Sequence, residues 1–357
     1  LADSEKAPSD DTIVYADRLS SPKGNEAFET FADNHYNQKG LLGDQANGSG
    51  RQENCAGKDD SIGFALARER SESMLKKLSL KEAEQHTDFA YGLALDAKTS
   101  SYPSFRDGVK SKDDFIRAES AIETNKNEEV LLYSRDGVPT GWIQWYFLED
   151  GGSANTYTFL AKGNYGEMLG EFLEYIASRK RFRINEIGIG VPQENKGACG
   201  ALESFGFKLV EASYVTLLKK EDFKPKEKCG NIKKIGLSDF SSFECLHRNV
   251  DMYWTAERIK EDIENWDVFF YDDGVDRGAI YTLKNGRINE IFGIDYSCGA
   301  YAEKIGSALV NHSVLMNSNP FMEFLYYFVD GKDEAANLGK LGFECVDRYR
   351  YYEKKLG

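Results

Sequence analysis

The chain has 357 residues, 41% of them hydrophobic, with 22 Phe and 20 Tyr. That supplies two ordinary cores and excludes overall disorder. A formal charge of −14 at pH 7 repels phosphate backbones and anionic lipid, which excludes nucleic acid and membrane surfaces as partners; it favours small cations, or serves solubility alone.

Residues 1–70 are rich in Asp, Asn, Gly and Ser, with 40–50 loop-like and 61–73 able to form a helix. They read as an irregular N-terminal extension. No basic and apolar leader is visible, so no signal peptide is expected. No apolar run reaches the ~18 residues of a membrane span. Six cysteines form no CxxC pair. With only scattered histidines they imply no metal site, and point to reduced thiols in a cytoplasmic setting.

Beyond residue 70 the chain repeats itself. Asp136-Gly137-Val138-Pro139-Thr140-Gly141 matches Asp273-Gly274-Val275-Asp276-Arg277-Gly278. Each sits between two apolar runs and reads as a strand hairpin. Tyr165–Leu173 matches Tyr301–Leu309 at Tyr, Glu, Gly and Leu, and Phe205-Gly206-Phe207 matches Leu341-Gly342-Phe343. All three matches recur 136 or 137 residues apart, which sets a tandem repeat. The opening phrases, Lys76–Leu80 and Lys233–Ser238, are about 157 apart, so the first copy holds extra residues in its early helical region. Asp222–Lys228, charged and centred on Pro225, reads as the linker. Domains are therefore expected at 73–221 and 229–357.

Each copy predicts the same order. A strand and helical segments come first, then the hairpin. A third strand follows (Thr156–Ala161, Glu290–Asp295), then a helix (Gly166–Arg179, Ala302–Asn317). A further strand (Glu186–Val191, Phe324–Val329), a short helix ending at the Gly-Phe pair and a closing strand complete the copy. The fold class is α/β, an α+β arrangement around a mixed antiparallel and parallel sheet. Trp142, Trp145, Tyr146 and Phe147 read as core rather than as an acceptor pocket. Cys298 reads as a small, partly buried thiol.

This order, with two local patterns, resembles the GNAT superfamily of acyl-CoA-dependent N-acetyltransferases, over 73–221 and 231–356. One pattern runs from Glu194-Asn195-Lys196-Gly197-Ala198 into Phe205-Gly206-Phe207, with Asn eleven residues before the Gly. The second copy has Gly331 in place of that Asn. The other is the family's phosphate loop, Gln/Arg-x-x-Gly-x-Gly/Ala, whose free backbone N–H groups at a helix start cradle the pyrophosphate of CoA. It aligns with Tyr165–Gly170 and Tyr301–Gly306. The central Gly is replaced by Met168 and Lys304. Lys304 supplies positive charge, whereas Glu167 and Glu171 of the first copy repel phosphate.

The resemblance therefore implies acetyl-CoA as co-substrate, held in the second copy by Ala302, Glu303, Lys304, Ile305, Gly306 and Ser307, with the backbone of Asp295 along its pantetheine arm. It implies Glu290 as general base, a position that spacing equates with Ala154 in the first copy. The family's acid Tyr is Leu202 and Leu338 here; Tyr326 and Tyr327 are close in sequence, and spacing does not choose between them. Asp251 and Trp254 are candidates for holding a cationic acceptor by charge and ring face, against an ordinary amphipathic helix. The leading expectation is acyl transfer from acyl-CoA to a primary amine of a small acceptor, carried out by the second copy. The alternatives are a degenerate tandem GNAT-like binding or interaction protein, and a structural dimerisation module.

Overall fold

The computed structural model describes residues 73–149, 152–247, 254–297 and 302–356. The N-terminal extension, Asp251, Cys298 and Tyr301 lie outside the described residues. Among the described residues the chain forms two compact units, one from 73–211 with 351–356, the other from 212–350.

The first unit opens with β1 (Ser73–Lys77), α1 (Leu80–Ala83), α2 (Thr87–Ala94) and α3 (Lys112–Ser120). Ser79 and Ser111 start α1 and α3 by exchanging bonds with Glu82 and Asp114 three residues on, which satisfies otherwise orphaned N–H groups. The hairpin follows as β2 (Glu128–Arg135) and β3 (Val138–Leu148). Its two turn residues, Asp136 and Gly137, have φ of 51° and 75°. Both are positive, the twist-compatible form for a two-residue loop, and this explains the Asp-Gly pair. Then come β4 (Ser153–Ala161), α4 (Tyr165–Ser178), β5 (Glu186–Pro192) and α5 (Lys196–Ser204).

The second unit begins within β6 (Lys208–Lys219). It continues with β7 (Ile232–Lys234), α6 (Phe240–Leu246), α7 (Ala256–Glu261) and β8 (Trp266–Asp272). Next are β9 (Arg277–Asn285), β10 (Ile288–Tyr296), α8 (Glu303–Leu315), β11 (Phe324–Val329) and α9 (Lys332–Gly339). The last strand is β12 (Glu344–Lys355). The expected element order holds in both copies, with the closing strands longer than the sequence indicated.

Within the first unit the sheet order is β1-β2-β3-β4-β5-β12, and within the second β6-β11-β10-β9-β8-β7. In each, one pair is parallel, β4 with β5 and β10 with β11. So each sheet is mixed, as expected. The far end of β12 completes the first unit. There the Tyr351 hydroxyl donates to Asn155 Oδ1 at 2.7 Å, and the Leu356 N–H to the Asn185 carbonyl at 2.7 Å.

One sheet face in each unit is covered by the long helix. Met168, Leu169, Phe172 and Ile176 of α4 recur at helical spacing and pack on Ile143, Trp145 and Phe159. Burying each such side chain contributes about 1.5–3 kcal/mol. In α8, Ile305, Leu309 and Val310 pack on Phe269, Ile280 and Ile291. The other face of the second unit carries Phe240 and Phe243 of α6 and Ile259 of α7, packed with Trp254, Trp266, Tyr281, Leu283 and Phe292. The segment read as a linker is pinned to the second unit. The Lys224 N–H donates to the Leu341 carbonyl at 2.9 Å, and that of Lys226 to Asn311 Oδ1 at 2.8 Å.

Glu119 on α3 is fully buried and accepts a 2.8 Å bond from the Thr87 hydroxyl. Burial pushes its carboxyl up to about 7; the Thr87 bond lowers it and the charge of Glu84 raises it further. An unfolded Glu ionises near 4.3. The group therefore favours the folded state at low pH, and that contribution is lost as pH rises through about 7. Glu119→Gln removes this dependence. Relative to wild type, the variant is expected to gain about 2 kcal/mol between pH 5 and pH 8 in urea unfolding.

Candidate functional site

The parallel pairs are short. β4 and β5 pair only from Ser153 to Asn155, and β10 and β11 only from Ile288 to Ile291. Each inner strand then carries a one-residue bulge against its hairpin neighbour, at Tyr157 in β4 and at Phe292 in β10. A bulge bends the strand and sharpens its twist. Beyond it the parallel partners part, and each pair leaves a cleft that its ladder no longer closes.

In the first unit this cleft is filled by the chain itself. The Phe159 N–H on β4 donates to Ser101 Oγ at 2.8 Å, and the Tyr102 N–H to the Gly190 carbonyl on β5 at 3.0 Å. Asn195 Nδ2 reaches the Ser100 carbonyl at 2.8 Å, and the Tyr165 hydroxyl reaches the Thr99 carbonyl at 3.0 Å. Ser100, Ser101, Tyr102, Ser104 and Phe105 are all buried. Thus Tyr165, first in the aligned phosphate motif, and Asn195 of the late motif both serve this inserted segment. Glu167, in the first turn of α4, is engaged by Tyr133 and Arg135. Sequence reasoning foresaw extra residues here but not their place in the cleft. The signal was the longer spacing of the opening phrases, which placed the extra residues in this region.

In the second unit β10 runs on from its bulge to Tyr296, paired with β9. Glu290 lies just before the bulge, at 2% exposure. Its partners in register are Leu283 on β9 and Tyr326 on β11. It therefore shares the sheet face that carries Trp266 and Phe292. Counting from the bulge, the first-unit residue in its place is Asn155, not Ala154. The stretch from bulge to aligned Tyr is one residue shorter in the first copy, so spacing from the helix slipped by one. Asn155 is occupied by the Tyr351 hydroxyl.

Tyr326 stands beside Glu290, whereas the Tyr327 hydroxyl donates to Glu334 on α9 at 3.1 Å. Leu202 and Leu338 are buried. Ala302 caps α8 without a side-chain bond. Glu303 meets Lys340 at 3.3 Å, Lys304 is exposed, Ile305 and Gly306 are buried, and Ser307 is half-buried. The charge of Lys304 also acts on Asp273 in the hairpin turn. Trp254 is 6% exposed, with its ring 4.9 Å from that of Trp266. Asp295, on the parted stretch of β10, holds His247 Nδ1 at 2.7 Å. His247 is the residue that sequence reasoning missed here. It lies 48 positions from Asp295, with no motif around it.

No family model matches the sequence, and no curated protein does. Solved structures do match. A GCN5-related N-acetyltransferase from Sphaerobacter thermophilus superposes with a TM-score of 0.54 at 14% identity, over 79% of this chain and 95% of that one. The GCN5-related glucosamine N-acetyltransferase region of a fungal multi-domain GH3 β-N-acetylglucosaminidase gives 0.50 at 13%, over 82% of this chain and 39% of that one. A tandem GNAT protein from the clavulanic acid biosynthesis pathway gives 0.48 at 13%, over 80% and 99%. Each unit is thus a mixed sheet split at a bulged inner strand and backed by a long helix. The fold is GNAT-like, and the chain carries it twice.

Ser101→Ala is expected to leave the Phe159 N–H without its acceptor, at a cost of about 1–3 kcal/mol. Urea unfolding followed by a probe in the first unit measures it, and an unchanged midpoint would count against the inserted segment as a structural part of that unit.

Proposed function

We propose that the chain is an N-acyltransferase with one working cleft, that of the second unit, which moves an acetyl or other acyl group from acyl-CoA to a primary amine of a small, cationic acceptor. The asymmetry of the two clefts carries this reading. The first spends its backbone edges, Tyr165 and Asn195 on residues 99–105, and has Asn155 where the second has a carboxylate.

In the second unit the parted edge of β10 offers N–H and C=O groups to the amide-bearing pantetheine arm, Asp295 contributing through its backbone. The start of α8, from Ala302 to Ser307 with the exposed Lys304, is the place for the pyrophosphate. Glu290 removes the ammonium proton, directly or through water, so that the amine can attack the thioester carbonyl. We assign protonation of the departing thiolate to Tyr326, which pairs with Glu290 in register. Net charge favours a cationic acceptor. Trp254 is buried against Trp266, which leaves its ring face little room for a cation. No helix among the described residues is long and apolar enough to cross a membrane. That agrees with a cytoplasmic setting, where acyl-CoA and free thiols such as Cys199 coexist.

Leu202 and Leu338 at the acid positions favour a second reading, a protein that binds acyl-CoA without transferring. Calorimetric titration with acetyl-CoA is expected to give one site per chain. Gly306→Glu should abolish it while Gly170→Glu leaves it intact; the reverse would move the site to the first unit. Glu290→Gln should slow transfer by about 10²-fold with acetyl-CoA affinity within about twofold of wild type. Saturable binding with no turnover on any amine screened would instead establish the second reading.

A further inference from the structure

His247 closes α6 and is buried. Its ring stacks on Phe243 at 4.9 Å and meets Tyr281 edge-on at 4.9 Å. Both ring nitrogens face acceptors. Nδ1 lies 2.7 Å from Asp295 Oδ2, and Nε2 lies 2.8 Å from the Trp254 carbonyl. A carboxylate and a carbonyl only accept, and neutral imidazole has one N–H. Only the doubly protonated ring satisfies both. Among the described residues, the titratable groups facing it are Asp295 on β10 and the Tyr281 phenol on β9. On α6, Glu244 turns instead to Lys260.

Asp295 occupies the parted stretch of β10, three residues past the bulge, and its side chain is 24% exposed. An acyl-CoA in this cleft brings several negative charges toward it. An unmatched carboxylate in this wall opposes that ligand; an imidazolium bonded to it cancels the charge. Resting on the reading above, we infer that His247 is a positioning residue of the acyl-donor cleft, held as an imidazolium that neutralises Asp295, and that its proton governs affinity for the anionic donor.

Burial pushes the imidazole down, but the bond and charge of Asp295 and the Trp254 carbonyl outweigh it and raise it above the ordinary histidine value. The sign follows. The tie is complete below the unfolded value of about 6.5 and is lost as pH rises through the higher folded value. The donor's own phosphates finish titrating near pH 6, so donor affinity above pH 7 reports the protein.

The experiment combines ¹⁵N NMR of the histidine ring with calorimetric titration of acetyl-CoA from pH 7 to 9.5. It uses wild type, His247→Gln, Asp295→Asn and the double variant. At pH 7 both ring nitrogens of His247 should carry protons, and Asp295→Asn should lower the pH at which one is lost. Wild-type affinity should weaken about three- to tenfold across the range. His247→Gln should be weak throughout. Asp295→Asn and the double variant should stay tight and flat, because removing the carboxylate removes the need for the cation. A double variant as weak as His247→Gln would mean that His247 only holds structure, and would overturn the proposal. So would a flat wild-type profile, or a neutral ring at pH 7. Should His247→Gln fail to fold, Asp295→Asn against wild type still decides. If no form binds acetyl-CoA at any pH, the acyl-CoA reading fails and the affinity coupling with it, while the ring signals separately decide the ion pair.

Discussion

A parallel strand pair that separates inside a protein creates a demand for hydrogen bonds. Once β4 leaves β5 after Asn155, or β10 leaves β11 after Ile291, the facing N–H and C=O groups have lost their ladder. Buried backbone groups without partners are costly. Other groups must take the place of the lost ladder. In the first unit the occupant is the chain, and its contacts are those of a ligand: a hydroxyl for the β4 edge, an N–H for the β5 edge and buried side chains between them. The second unit has a carboxylate, Glu290, just before its bulge, and the start of α8 follows the strand.

In the first unit two residues of the aligned motifs serve the fold. Tyr165 and Asn195 occupy motif positions, yet both are turned to the inserted segment, with the Asn195 amide donating to the Tyr165 hydroxyl at 2.8 Å. Gly197 shows how tightly this is built, since a Cβ there would come within 2.9 Å of the Tyr165 ring. Both residues are thus structural parts of the first unit.

The repeat and the order of elements were legible because they depend on local signals: Asp-Gly turns, period-two apolar runs and a helix with one apolar face. The parting of the strands was not legible as geometry, because a bulge adds one residue and leaves no compositional mark. That one residue also moved the first-copy counterpart of Glu290 from Ala154 to Asn155. The ion pair of His247 with Asp295 joins the end of α6 to β10. Nothing in either segment announces the other, since only the folded sheet brings them together. The insertion at 99–105 left a trace in the sequence, but only as extra length. Its destination depended on an unpaired edge that the sequence did not display.

The end of β12 has a consequence for how the protein is made. The first unit borrows its last strand from residues 351–356, so its own first 139 residues, 73–211, emerge from the ribosome without it. Until synthesis passes residue 351, β5 presents an open edge, and such edges recruit stray strands from other chains. The second unit, drawn from the continuous stretch 212–350, has all its strands first. The later stretch of chain can thus complete its sheet before the earlier one does.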